Sequence, residues 1–174
     1  MKNRIILLSL IFAVLMGCDN SSRATHNLKW STNGDVLRER LKFKYEITKC
    51  EWTMTSIVYG ENSFLWPPPA AEAFVCGVIY MTPEEIARLM SAHDWTAFPK
   101  SQIGEIPSDS RTEAKWFYDE CQKHIFAAHG LSDSTNWLYS ESYSKEFSRS
   151  SPFCVGRILL APELGVVYFF LNSI

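Results

Sequence analysis

The last hydrophobic segment of the chain, Val166-Val167-Tyr168-Phe169-Phe170-Leu171, is apolar at six consecutive positions. A strand with one face in water alternates apolar and polar residues, because successive side chains point to opposite faces. This segment does not alternate, so it belongs to a strand that is central in its sheet or covered by helices. Ahead of it, residues 153–160 read as another β segment. The five residues between them, Ala161-Pro162-Glu163-Leu164-Gly165, place Pro and Gly for a hairpin.

The rest of the chain supplies the covering elements. Val36, Leu37 and Leu41 follow the Asn33-Gly34 turn at helical spacing, which predicts a short helix over residues 35–42. Residues 44–59 are rich in β-formers and predict one long or two short strands, and residues 74–80 predict a buried strand. Between these lies Trp66-Pro67-Pro68-Pro69, which fits neither a helix interior nor a central strand and favours an extended segment. Thr82-Pro83-Glu84-Glu85 is a capping box with Pro at the first helical position, opening a helix over about 83–94. Ser110 and Glu113 repeat that logic for a longer helix over about 111–129. Its stripe is Ala114, Phe117, Cys121, Ile125 and Ala128, and Gly130 ends it. Residues 136–143 alternate partly and are expected to begin the return to β structure. The order of strands, then helices, then strands predicts an α+β domain, with two main helices packed on an antiparallel sheet and a C-terminal β-hairpin.

The amino terminus has a separate logic. Lys2 and Arg4 precede an almost unbroken apolar run from Ile5 to Met16, with Ser9 the one polar residue. A bilayer-spanning helix needs roughly 20 apolar residues, so this run has the length of a signal-peptide core. It ends in Leu15-Met16-Gly17-Cys18, followed by the polar Asp19-Asn20-Ser21-Ser22. That junction resembles the lipobox of bacterial lipoproteins. The resemblance implies cleavage before Cys18, diacylglycerol on its thiol and an acylated new amino terminus. Asp19 and Asn20 are similar to the signal that retains such proteins in the inner membrane, which favours that membrane over the outer one. The expected organisation is a signal peptide over residues 1–17, a polar tether over 18–30 and one globular domain over 31–174.

Loss of residues 1–17 removes Lys2 and Arg4, so 15 basic residues face 19 acidic ones and the net charge is −4. That argues against a nucleic-acid partner. With Cys18 lipidated, Cys50, Cys76, Cys121 and Cys154 remain, an even number that predicts two disulfides in an oxidising compartment. The expected pairs are Cys50 with Cys76 and Cys121 with Cys154. The spacings are too wide for a zinc site.

Catalytic constellations are sparse. There is no G-x-S-x-G elbow and no phosphate-binding glycine loop. His124 and His129 are five residues apart, about 500° of helical rotation, and so diverge by roughly 140° rather than sharing a metal as an i, i+4 pair does. His129, beside Gly130, is expected to meet the carbonyls of the helix C-terminus. No enzymatic activity, metal or cofactor is expected. The aromatic residues stand out instead. Trp66 and its neighbours Pro67 and Pro68, together with Trp116, which falls off its helix's apolar stripe, are the candidate partner-binding residues.

The expected function is therefore a non-enzymatic periplasmic lipoprotein, held to the membrane by its lipid and binding a protein partner. In size, charge and location it resembles the immunity proteins that neutralise secreted antibacterial effectors. The alternative is an envelope structural or stress-related lipoprotein.

Overall fold

A computed structural model describes residues 28–58, 71–107, 114–153 and 155–173. The elements run α1 (Gly34–Leu41), β1 (Lys49–Val58), β2 (Ala71–Tyr80), α2 (Pro83–Ala92), β3 (Thr96–Ala97), α3 (Lys115–His129), β4 (Leu138–Tyr139), α4 (Glu141–Ser150), β5 (Val155–Ala161) and β6 (Val166–Asn172). The strands form one antiparallel sheet in the order β1-β2-β6-β5-β4-β3. The fold is α+β and closes with the β5–β6 hairpin, as the sequence predicts.

β6 lies between β2 and β5, and all seven of its residues are buried. Its side chains divide between two cores by strict alternation. Val167, Phe169 and Leu171 enter one core with Leu37 and Leu41 of α1, Ile86 and Leu89 of α2, and Tyr143 and Phe147 of α4. Val166, Tyr168 and Phe170 enter the other with Phe117, Tyr118, Cys121 and Ile125 of α3. The sheet is thus the middle of three layers, which explains why β6 carries no polar face.

Local signals account for the helix ends. Asn33 Oδ1 accepts from the Val36 amide at 3.0 Å and caps α1. Thr82 Oγ1 accepts from the Glu85 amide at 3.3 Å, with Pro83 at the first position of α2. Gly130 ends α3 in the left-handed conformation, φ 65°, which costs a residue without Cβ little. The proposed Ser110–Glu113 box and the Trp66–Pro69 segment lie outside the described residues. Thr82→Ala is expected to lower stability by about 1 kcal/mol, read as a lower urea midpoint at unchanged slope.

Two expectations on organisation change. Residues 136–143 are not a strand. Only Leu138 and Tyr139 pair, and Ser140 then caps α4 by accepting from the Tyr143 amide at 3.1 Å. The domain also begins before residue 31. Leu28 and Trp30 pack on the second core, and Ser31 exchanges two backbone hydrogen bonds with Trp52 at 2.8 and 2.9 Å. Residues 28–30, assigned to the tether, therefore belong to the domain.

Candidate functional site

A cluster of polar and aromatic side chains on the α3 side of the sheet is built by five residues from four segments. β1 directs alternate residues to the α3 side of the sheet, and Glu51 is one of them, in the same phase as the buried Thr53. Tyr80 ends β2 on that side, α3 contributes His124 and His129, and the segment before Ser31 contributes Trp30.

Glu51 bridges the two imidazoles. Its Oε1 lies 2.8 Å from His124 Nε2 and its Oε2 lies 2.8 Å from His129 Nε2. The Tyr80 hydroxyl meets His129 Nδ1 at 2.9 Å. The two histidines do not share a metal but are spanned by the carboxylate, whose two oxygens each take one ring. His129 does not turn to the helix carbonyls, as its place beside Gly130 suggested. Its side chain is 4% exposed and fully engaged by Glu51 and Tyr80.

The electrostatics set the charge of the acceptor. Burial raises the Glu51 pKa, but the hydrogen bonds and charge interactions with His124 and His129 together outweigh it and hold the carboxyl below its ordinary range. Burial and the Glu51 charge push the Tyr80 hydroxyl up. Glu51 is therefore an anionic acceptor at neutral pH and Tyr80 a protonated donor. With the carboxylate as acceptor, each imidazole donates to Glu51 from Nε2, and the Tyr80 hydroxyl donates to His129 Nδ1. Glu51, His129 and Tyr80 thus satisfy one another.

The outer end differs. The His124 ring stacks on Trp30 with centroids 4.0 Å apart and planes 16° from parallel. It is 40% exposed and borders an open depression of about 510 Å³ on α3, beside Glu120, Lys123, Ala127 and Ala128. The network ties β1, β2, α3 and the amino-terminal segment together and presents one oriented imidazole to solvent. Among the described residues no group of three or more His, Cys, Asp or Glu side chains is arranged to hold a metal ion.

A second depression, about 540 Å³, lies between the end of α2 and α4. Several of its charges engage their neighbours. Glu146 pairs with Lys44 at 2.6 Å and lies 3.7 Å from His93, and Lys145 pairs with Glu141 at 2.6 Å. The Lys44–Glu146 and Lys145–Glu141 pairs are well solvated and of small energetic weight.

The cysteines depart from the expected pairing. Cys50 is buried in the first core, with its thiol 3.5 Å from the Thr32 carbonyl oxygen, whereas Cys76 is buried in the second, with its thiol 3.8 Å from the Tyr168 hydroxyl. Their even spacing along β1 and β2 conceals that they occupy opposite faces of the sheet, so no Cys50–Cys76 disulfide can form. Cys121 is also a free, buried thiol, and its proposed partner Cys154 lies outside the described residues. Burial pushes the Cys50 and Cys121 thiols up, so both are unreactive.

Of the partner-binding candidates, Trp116 is half-buried, packs against the second core and meets Phe117 edge-on at 5.7 Å. It is not the projecting aromatic that its position off the stripe suggested. Trp66, Pro67 and Pro68 lie outside the described residues, as does Cys18. Among the described residues, no helix is long and apolar enough to cross a membrane. Compared with protein-family models, curated proteins and solved structures, the chain matches none of them.

Proposed function

We propose that the chain is a lipid-anchored, non-enzymatic protein-binding module on the periplasmic face of the bacterial inner membrane, of the kind that neutralises a secreted antibacterial effector. The observation that carries this reading is the Leu15-Met16-Gly17-Cys18 junction at the end of a twelve-residue, almost wholly apolar run. Two or three acyl chains on Cys18 give stable membrane attachment.

The position of Leu28 supports it. Leu28 already packs on the domain, ten residues after Cys18. Ten residues reach at most about 33–36 Å, so the domain is held within about one bilayer thickness of the lipid surface. An effector that attacks the membrane or the cell wall would be met where it acts. The net charge of −4 after signal removal suits a basic protein partner better than nucleic acid or an anionic lipid surface.

Cys18→Ser is expected to abolish labelling by palmitate and to leave the precursor uncleaved, while the wild-type chain is labelled and sediments with inner membranes. A processed, soluble Cys18→Ser product would refute the anchor. For the binding role, membranes bearing the wild-type chain should retain one effector encoded beside its gene, and cells lacking the chain should be killed by that effector. Survival of those cells would refute it.

A further inference from the structure

Arg157 lies in β5 opposite Phe170 and points to the α3 side of the sheet, in phase with Leu159 and Ala161 of the second core. It is 9% exposed. A guanidinium buried to that extent is ordinarily met by a carboxylate, because an unpaired charge is costly to take out of water. Here none meets it: among the described residues no ion pair includes Arg157.

Neutral acceptors hold the side chain instead. Nη1 donates to the carbonyl oxygens of Gln102 and Glu105, both at 2.8 Å, and meets the Tyr118 hydroxyl at 3.4 Å. The Phe98 ring covers the guanidinium, 4.8 Å from its carbon. All three hydrogen bonds fall on one nitrogen. Nε and Nη2 carry the remaining N–H groups, and among the described residues no acceptor meets them. Nor are they sealed from solvent, since the one buried side-chain nitrogen or oxygen without a partner there is Asn172 Oδ1. The clamp on Nη1 therefore fixes the guanidinium and leaves its Nε–Nη2 edge open.

We infer that the Nε–Nη2 edge of Arg157 is a binding site for a single carboxylate group, held by two parallel hydrogen bonds. That edge is a planar fork whose spacing matches the two oxygens of a carboxylate. A phosphate fits the same fork, but its second charge calls for a second cation. Lys100, on the turn that supplies the Gln102 carbonyl, directs its Nζ to the Ser134 carbonyl oxygen instead. Glu105 adds an exposed negative side chain to the same segment. One guanidinium beside one carboxylate suits a monoanion better than a dianion. Because the side chain is already held by Nη1 and Phe98, little rotamer entropy is lost on binding. The site is independent of the lipid anchor.

The test uses the full chain in detergent micelles, labelled with heavy nitrogen for NMR, at about pH 6, where carboxylates are ionised. Sodium acetate replaces chloride at constant ionic strength. The Arg157 Nε–H signal should move and saturate in the millimolar range, while the signals of exposed arginines such as Arg38 and Arg149 stay in place. Arg157→Lys keeps the charge and loses the fork. It should delete that signal, and acetate should raise the thermal midpoint of the wild type but not of this variant. Should Arg157→Lys fail to fold, Tyr118→Phe identifies the same signal by removing a contact on Nη1. Tighter binding of acetate than of N-acetyl-aspartate amide points to a free carboxylate, and the reverse to an acidic side chain of a protein; either supports the site. No saturable shift up to about 100 mM acetate, an equal shift of the exposed arginines, or tighter binding of inorganic phosphate would overturn the inference.

Discussion

Phe169→Ala and Phe170→Ala are each expected to lower stability by about 3–5 kcal/mol, and the double variant by nearly the sum. The two residues are neighbours in the chain, 1% and 0% exposed, but they serve different cores. Phe170 lies among Phe74, Phe117 and Tyr118, with centroids 6.1, 5.9 and 4.9 Å away. Its loss opens a cavity beneath α3. Phe169 lies on the other face, over Gly77. A Cβ there would come within 2.7 Å of the Phe169 Cζ and 2.5 Å of the Glu51 carbonyl oxygen, so the glycine leaves the room the ring occupies. Its loss opens a cavity beneath the three-helix layer. Cavities on opposite faces share few neighbours, so their costs should add. A combined loss of about 6–10 kcal/mol rivals the whole stability of an ordinary domain, and the double variant should be largely unfolded at room temperature. Urea titration followed by far-ultraviolet circular dichroism measures this. Full tolerance of either single substitution would contradict a sheet covered on both faces.

The same alternation explains why so much of the fold is legible in the sequence. Six consecutive apolar residues demand cover on both sides, and the structure places three helices on one face of β6 and one on the other. Asn33, Thr82 and Gly130 mark helix ends because their chemistry is local: a side chain satisfies an amide three residues away, or a glycine relaxes a positive φ. α4 is obscure for the opposite reason. Its sequence is serine-rich, and only Tyr143 and Phe147, four residues apart, face the core. Two apolar residues and the Ser140 cap are a weak signal beside the partial alternation of Leu138 and Tyr139.

The polar network is less legible still. Glu51 is 73 residues from His124 and 78 from His129. Their meeting depends on the β1–β2 register and on which face α3 covers, neither of which spacing along the chain reveals. One trace is present: Glu51 shares the phase of Thr53 and Ile57, so a carboxylate points toward the covered side of a strand. A charged group in that position requires a partner. The mistaken Cys50–Cys76 pair has the same root, because alternation around β1 and β2 decides the face of each thiol and nearness in sequence does not.

Glu51→Gln is expected to lower stability at neutral pH by about 1–3 kcal/mol, the cost of leaving a buried donor unmet. A carboxylate accepts from both imidazoles, whereas an amide offers one acceptor and one donor. The amide donor would face an Nε2 proton, and His129 can escape that clash only by changing tautomer and losing the Tyr80 hydroxyl as a donor to Nδ1. Glu51→Ala should cost more, since both Nε2 protons are then stranded and the 4%-exposed His129 side chain has no water to replace the loss. The pH dependence carries the sign of the effect. The Glu51 carboxyl is held below its ordinary range in the folded chain. The stability it contributes is therefore fully present above the unfolded carboxylate pKa of about 4.3 and is lost as pH falls through the lower, folded value. Wild-type stability should drop on acidification through that window, and the Glu51→Gln curve should be flatter there, so that the two converge in acid. Thermal midpoints measured from neutral pH down to about pH 3 read this directly. Parallel curves would show that the carboxylate is not the group that fastens the amino-terminal segment, β1 and α3 together.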